Sequence, residues 1–141
     1  MPTMITSGKP VQRAILVLLA LNTLVLLFHI SLALKIVPYD IAWGGRLKND
    51  ADMYRLEAVS IAVNLLFSVV LLVKGGWVRI TVPVRIVNIL LWIFFALFLL
   101  NTVGNLFAAT LFEKCFAVLT LIFSLLIGVV LFSKKEGDKT I

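Results

Sequence analysis

The chain has little of what a water-soluble fold requires. Only 14% of its 141 residues are charged and 62% are hydrophobic, whereas soluble domains carry about 25% charged residues. A chain of this length cannot bury so much apolar surface inside itself, but a lipid bilayer can solvate it. The composition therefore excludes a water-soluble fold and predicts an integral membrane protein.

Cysteine and histidine each occur once, as Cys115 and His29. A single cysteine can form neither an internal disulfide nor a dithiol redox pair. One histidine and one cysteine are a poor basis for a zinc or haem site. We therefore expect no metal, no other cofactor and no thiol redox chemistry in this chain.

Four apolar runs are each long enough to cross a bilayer as a helix. The predicted helices cover residues 14–36, 56–73, 86–110 and 115–132. An outer loop at 37–55 and mobile tails at 1–12 and 133–141 complete a single transmembrane domain of residues 1–141. The predicted fold class is all-α, a polytopic membrane protein built as an antiparallel bundle of four transmembrane helices. The first run exceeds the ~7–15 apolar residues of a signal peptide, so the alternative of a cleaved signal is not favoured.

Short polar motifs predict where these helices begin and end. Asn49, three residues before Asp52, is typical of an N-cap at the start of the second helix. Lys74-Gly75-Gly76 is typical of a helix end and predicts the stop of the same helix. Glu113-Lys114 interrupts the last two apolar runs and predicts the turn between the third and fourth helices.

The net charge of +6 comes from basic residues that flank the apolar runs, which is typical of topology signals and of contacts with anionic lipid. No motif typical of nucleic-acid binding is present, and no nucleic-acid partner is expected. Eight basic residues fall at the two ends and in the middle connection: Lys9, Arg13, Lys74, Arg79, Arg85, Lys134, Lys135 and Lys139. Five fall on the other side: Lys35, Arg46, Lys48, Arg55 and Lys114. The bias predicts that both termini lie in the cytoplasm and that the membrane is a cell membrane, with a bacterial inner membrane favoured.

Polar and small residues inside the apolar helices recur at helical spacing, which places them on one face of each helix. Polar groups in lipid are costly, so these faces are expected to point to a common axis. The faces carry Asn22 and His29 on the first helix, Glu57, Ser60, Asn64 and Ser68 on the second, Asn101 and Asn105 on the third, and Thr120, Ser124 and Gly128 on the fourth. Within this set we assign Asn22, Ser68, Thr120, Ser124 and Gly128 to helix packing.

The remaining polar residues predict a ligand-binding cavity in the outer half of the bundle. His29 and Glu57 are its ionisable members, and the loop at 37–55 is expected to fold over it. The other predicted lining residues are Ser60, Asn64, Asn101, Asn105, Trp43 and Arg46. Two simpler interpretations stay open: Glu57 pairs with Arg55 or Lys48 at the surface, and His29 is a neutral side chain bonded across helices.

The size and the four-helix plan resemble those of small multidrug transporters, which carry a membrane-embedded glutamate in the first helix. Here the first helix offers only Asn22 and His29, and Glu57 opens the second helix instead, so the residue that drives proton coupling has no counterpart. Sterol-binding four-helix proteins of the emopamil type place acidic residues in a bundle cavity, and Glu57 is similar to these in architecture alone. We assign the chain to neither family.

Three functions fit these features. The favoured one is a non-enzymatic accessory, assembly or interaction subunit, because no catalytic set is evident and function must be argued from a site. The second is a binder or carrier of a lipid or small amphiphile, which would need a homodimer to build a transport path. The third is an isomerase-type membrane enzyme with His29 and Glu57 as acid and base.

One spatial observation separates these functions. A cavity that brings His29 and Glu57 together favours binding or catalysis. A close-packed interior with Glu57 paired to Arg55 at the surface favours the accessory function.

Overall fold

The computed structural model describes residues 8–43 and 46–133. Within them the chain forms four α-helices, α1 (Lys9–Ala33), α2 (Asp50–Lys74), α3 (Val84–Leu106) and α4 (Leu111–Phe132), with a short 3-10 helix at Tyr39–Ile41 and no strand. All four α-helices are long and apolar enough to cross a membrane. The prediction of an all-helical chain with four membrane-length helices is therefore confirmed, and the helices fit a multi-pass membrane protein.

The helices lie side by side in the ring order α1, α2, α3, α4. Packing is most extensive between α1 and α2 and between α3 and α4, while α2 and α3 touch over a smaller area. Gln12 near the start of α1 bonds to Gly75 O after the end of α2, and Thr102 of α3 bonds to Thr120 of α4. These contacts join helices that run in opposite directions.

Helix α1 begins at Lys9, which places residues 9–12 in a helix where the sequence predicted a mobile tail. Pro10 in the first turn explains the early start, because its fixed φ suits that position and its missing N–H is not needed there. The helix ends at Ala33 because Lys35 adopts the left-handed conformation, with φ of 56°. Ile36 N then donates to Ser31 O over 2.8 Å, which closes the end. The remainder of the two predicted tails, residues 1–7 and 134–141, lies outside the described residues.

Helix α2 confirms both predicted end signals. The side chain of Asn49 accepts a hydrogen bond from Asp52 N over 2.9 Å, so the helix begins at Asp50 rather than near residue 56. The polar cap sets the start, and the apolar run begins later. At the other end, Gly76 has a φ of 78° that favours glycine, and the helix stops at Lys74.

The connection between α3 and α4 differs from the prediction. The turn lies at 107–110, and Glu113 and Lys114 belong to the first turn of α4. Thr110 is the N-cap, since its Oγ1 accepts from Glu113 N over 3.2 Å. The predicted turn at Glu113-Lys114 was wrong, because the capping sequence Thr110-Leu111-Phe112-Glu113 starts the helix before the charged pair.

We define the packed half of the bundle as the part between residues 11–18 of α1, 67–74 of α2, 87–94 of α3 and 123–130 of α4. Its centre is Phe67, which is fully buried and lies 4.6 Å from Phe94 between ring centroids. Aliphatic side chains fill the space around this ring. The buried members of the packed half include Ile15, Leu18, Leu71, Val87, Leu91, Ile127 and Val130.

Candidate ligand cavity

The other half of the bundle, which we call the cavity half, holds a buried carboxylate. Glu57 lies in the second turn of α2 and is 0% exposed. Its Oε2 lies 2.7 Å from His29 Nδ1 of α1, and its Oε1 accepts a hydrogen bond from Trp43 Nε1 over 2.8 Å. Both carboxylate oxygens are therefore engaged inside the protein. The alternative pairing of Glu57 with Arg55 or Lys48 is not found, and both basic side chains are exposed.

This geometry assigns a role to each nitrogen of the imidazole ring when Glu57 is ionised. Because an ionised carboxylate only accepts hydrogen bonds, His29 donates from Nδ1. In the neutral ring, the second nitrogen, Nε2, is then the acceptor. Nε2 has no hydrogen-bond partner among the described residues, and His29 lines a cavity. A carboxylate behind a histidine sets its tautomer and orientation in the same way in many metal and catalytic sites.

Trp43 reaches Glu57 from the segment that follows α1. The short helix at Tyr39–Ile41 turns the chain, Ala42 is buried, and Trp43 adopts a φ of 60°. A large side chain in this left-handed region is uncommon and carries backbone strain. The bond to Glu57 holds the strained residue in place, so carboxylate and loop stabilise each other.

A surface ion pair closes the start of the same segment. Lys35 Nζ donates to Asp50 at the start of α2, and Tyr39 Oη donates to the same carboxylate over 3.0 Å. The hydrogen bond to Asp50 raises the pKa of Lys35 above its ordinary value, and a hydrogen bond to the same group raises the pKa of Tyr39. These contacts tie the loop to α2 on its water side.

The cavity has a volume of about 300 Å³ and is lined by all four helices and by Ala42 and Trp43. This volume is at the lower end of the range for small-molecule sites. Aromatic and aliphatic side chains form most of the wall. The polar lining residues are His29, Trp43, Ser60, Asn64, Asn101, Asn105, Glu113 and Thr120.

Several of these polar groups are available to a ligand. Within the described residues, Ser60 Oγ and the side-chain amides of Asn101 and Asn105 make no hydrogen bond, and Asn64 uses only its Nδ2, which donates to Ser60 O over 2.7 Å. Thr120 is different, because its hydroxyl is bonded to Thr102 Oγ1 over 2.9 Å. The cavity therefore presents unused donors and acceptors beside an apolar wall.

Exposed residues mark where the cavity meets the outside. Val59 of α2 and Leu97 and Asn101 of α3 line it and are exposed on the surface of the bundle. These two helices are also the neighbours with the smallest contact area. The cavity therefore opens sideways between α2 and α3, along the lipid-facing surface of a membrane-spanning chain.

A polar seam continues from the cavity between α1 and α2. Asn22 is 0% exposed, and its Nδ2 donates to Asn64 O over 2.9 Å and to Ser68 Oγ over 2.8 Å. Its Oδ1 is buried without a partner within the described residues. Interhelical hydrogen bonds of this kind contribute about 0.6 kcal/mol each in membrane proteins, so the seam fixes helix register more than it adds stability.

The predicted site residues are placed as follows. The structure brings His29, Glu57 and Trp43 into direct contact, and Ser60, Asn64, Asn101 and Asn105 into the lining. Arg46 is exposed and is not among the lining residues. Its charge lies on a water-accessible loop, where a guanidinium is easily solvated.

The residues predicted to pack helices have different surroundings. Asn22 and Ser68 bond to each other, and Ser124 is buried with its Oγ donating to Thr120 O over 3.2 Å. Gly128 is half-buried, and a Cβ there would meet the ring of Phe95 at an ordinary 3.7 Å. A small side chain would therefore fit at Gly128, and no close approach of a second helix there requires glycine.

One lining residue of the cavity and one buried polar residue that bonds to its wall were missed from the sequence. Glu113 is 9% exposed and lines the cavity, and its Oε2 accepts from Thr110 Oγ1 over 2.8 Å. The capping pattern Thr-x-x-Glu was the available signal. Thr102 is the buried polar residue of α3 and bonds to Thr120. The available signal was its spacing of four residues from Phe98, because adjacent residues in a helix point about 100° apart and Asn101 therefore lies on another face.

The described residues contain no group of three or more histidine, cysteine, aspartate or glutamate side chains that could hold a metal ion. Comparison with protein-family models, with curated proteins and with solved structures finds no match. The geometry of the cavity is therefore the basis for any statement about function.

Proposed function

We propose that the protein binds a small amphiphilic molecule, taken from the bilayer, in the cavity between the four helices. The observation that carries the proposal is the placement of unused polar groups, above all His29 Nε2, on the wall of a cavity of about 300 Å³. Embedded ionisable groups in membrane proteins usually mark functional sites. The contact between His29 and Glu57 favours binding over the accessory function.

The sideways opening supports a ligand that comes from lipid. An apolar body would enter between Val59 and Leu97 and lie against the aromatic wall, while a polar head would meet His29 or the asparagine amides. A carrier function in the same cavity would require a second state that opens to the other side, and a homodimer is one way to build it.

Tryptophan fluorescence offers a direct test, because Trp43 lines the cavity while Trp77 and Trp92 are exposed elsewhere. A protein with Trp77→Phe and Trp92→Phe keeps Trp43 as its single reporter. Titration in a non-ionic detergent with 10-bromo-1-decanol, whose bromine quenches indole on contact, should give saturable quenching. Ser60→Leu should abolish the saturable part, since the added side chain fills the cavity.

The matched control is a protein that keeps only Trp92, with Trp43→Phe and Trp77→Phe. Its quenching should rise without saturation, as expected for a probe that only dissolves in the micelle. If both single-tryptophan proteins give the same unsaturated curve, the binding proposal fails.

A second candidate function is proton transfer on a bound substrate, as in an isomerase. The favouring observation is the Glu57–His29 pair, whose 2.7 Å contact orients Nε2 as a general base. Incubation of the protein with a deuterated substrate candidate would reveal it by exchange that His29→Gln removes. Binding without any exchange would leave the protein a binder only.

We also propose that both termini face the cytoplasm of a bacterial cell, which leaves Trp43 on the outer side. The excess of basic residues on the side of the termini supports this orientation. Single cysteines at Lys48 and at Trp77, in a Cys115→Ala background, provide the test with a membrane-impermeant thiol reagent. Labelling of intact cells at position 77 but not at position 48 would contradict the proposed orientation.

The accessory function stays a prediction. A larger membrane partner would pack on the exposed apolar faces of the helices, and those faces are equally suited to lipid. Purification in a mild detergent with identification of bound chains would detect such a partner.

A further inference from the structure

The cavity carries two buried acids and an uneven distribution of charge. Glu57 contacts its wall through His29 and Trp43, and Glu113 lines it directly. The two belong to different helices, α2 and α4, and both of these helices line the cavity. No lysine or arginine is among its lining residues within the described part of the chain.

Basic residues are present at this end of the bundle, but on the outside. The five basic residues at this end are all exposed, and they are Lys35, Arg46, Lys48, Arg55 and Lys114. The side chain of Lys35 is bound to Asp50. Water and salt screen exposed charges far more than buried ones. The walls of the cavity therefore hold acidic side chains, whereas the basic side chains at this end lie on the exposed surface.

Each carboxyl group has a hydrogen-bond donor beside it. Glu57 accepts two hydrogen bonds, from His29 and Trp43. Glu113 accepts one from Thr110 and lies in the first turn of α4, where the helix dipole stabilises a negative charge. A cation placed between two buried acidic groups would offset the cost of burying their charge.

The wall also suits a cation. Phe28, Phe112 and Phe116 form a group of rings with centroids 5.1 to 5.5 Å apart, and all three line the cavity. An ammonium group within about 6 Å of an aromatic face is attracted by it. His29 Nε2 adds an acceptor, which an amine can use as a donor and a carboxylate cannot.

From these features we infer that the ligand is an amphiphile with a positively charged amine head, held between the His29–Glu57 pair and Glu113. The inference rests on the proposed binding function and names its ligand class. An anionic head would meet two carboxylates, and a neutral alcohol would gain nothing from either charge. The amine is therefore the preferred head group of the three.

The test is a competition between three ten-carbon chains that differ only in the head. Decylamine, 1-decanol and decanoic acid each displace 10-bromo-1-decanol from the protein with Trp43 as its single tryptophan, and displacement restores the fluorescence. At neutral pH decylamine should act at a concentration about tenfold below that of 1-decanol, with decanoic acid the weakest, since a nearby opposite charge contributes at least this factor.

Two variants locate the effect. Glu113→Gln should reduce the preference for decylamine over 1-decanol by about threefold, since Glu113 shares the roughly tenfold effect with the His29–Glu57 pair, whereas Asp40→Asn, an exposed acid at the same end, should leave it unchanged. Glu57→Gln can keep its bonds to Trp43 and His29 but forces the proton of the ring onto Nε2. That change should weaken the binding of decylamine and leave the binding of 1-decanol unchanged. In catalytic triads, a histidine in the wrong tautomer likewise loses its function.

The outcomes separate the two proposals. Saturable quenching with equal displacement by all three chains would overturn the amine inference and leave the binding proposal standing. The same holds if Glu113→Gln and Asp40→Asn behave alike. An absence of saturable quenching would overturn the binding proposal itself.

Discussion

The two halves of this bundle are built from the same helices but differ in packing, because one is filled with side chains and the other contains a cavity. In the packed half, Phe67 lies against the rings of Phe94 and Phe123 and among aliphatic side chains. In the cavity half, the wall rings leave a space of about 300 Å³, and several polar groups there, such as Ser60 Oγ, have no partner among the described residues. Lipid supplies little driving force for helix association, so close packing in one half stabilises the bundle. The other half is then free to carry a site.

The largest expected loss of stability follows from a substitution in the packed half. Phe67→Ala removes a fully buried ring and should lower the free energy of unfolding by about 3–5 kcal/mol. Phe116→Ala removes a half-buried ring from the cavity wall and should cost much less, because one side of that ring faces the cavity. Unfolding in mixed micelles with increasing SDS gives both values. Equal losses would mean that the two halves are packed alike.

A second pair of substitutions should change the free energy of unfolding in opposite directions. Ser124→Leu forces a larger side chain into a site that is 1% exposed and should destabilise the protein by about 1–3 kcal/mol. Ser60→Leu puts the same side chain into the cavity and should stabilise it by about 0.5–2 kcal/mol. The same SDS titration measures both. Destabilisation by Ser60→Leu would show that the space around it cannot accept a leucine.

The smallest effect is expected at the exposed ion pair that closes the loop of the cavity half. The pKa of Lys35 is raised by its bond to Asp50, so the contribution of this bond to stability is present below its ordinary value of 10.5 and is lost as the pH rises through the raised pKa. Lys35→Gln should therefore lower the unfolding temperature slightly at pH 8. The difference between variant and wild type should vanish at strongly alkaline pH. A difference that persists there would mean that Lys35 acts through packing instead of charge.

The helices were predictable because their signals are local. Each apolar run is long enough to span a bilayer, and Asn49 and Gly76 end their helix through backbone geometry that a few neighbouring residues determine. The start of α4 was equally local, and Thr110 could have been recognised from its capping sequence. The seam of α2 was also visible, since Ser60, Asn64 and Ser68 follow helical spacing.

The site was predictable only in part. That His29 and Glu57 lie at the same level follows from where they fall in two neighbouring helices. That Trp43 bonds to Glu57 depends on a left-handed backbone in a loop, which no periodicity reveals. Arg46 was expected in the loop over the cavity, but it is exposed and is not among the lining residues. Glu113 joined the site because the turn before α4 lies earlier than predicted.

The bond between Trp43 and Glu57 has an evolutionary consequence. Loss of the carboxylate would leave a strained backbone without its restraint and an imidazole without its orienting partner. Loss of the indole would leave a buried oxygen without a donor. Among descendants of this sequence, substitutions at positions 29, 43 and 57 should therefore appear together in the same lineage. Glycine, which tolerates the φ of 60°, should replace Trp43 only in chains that have also lost the acid.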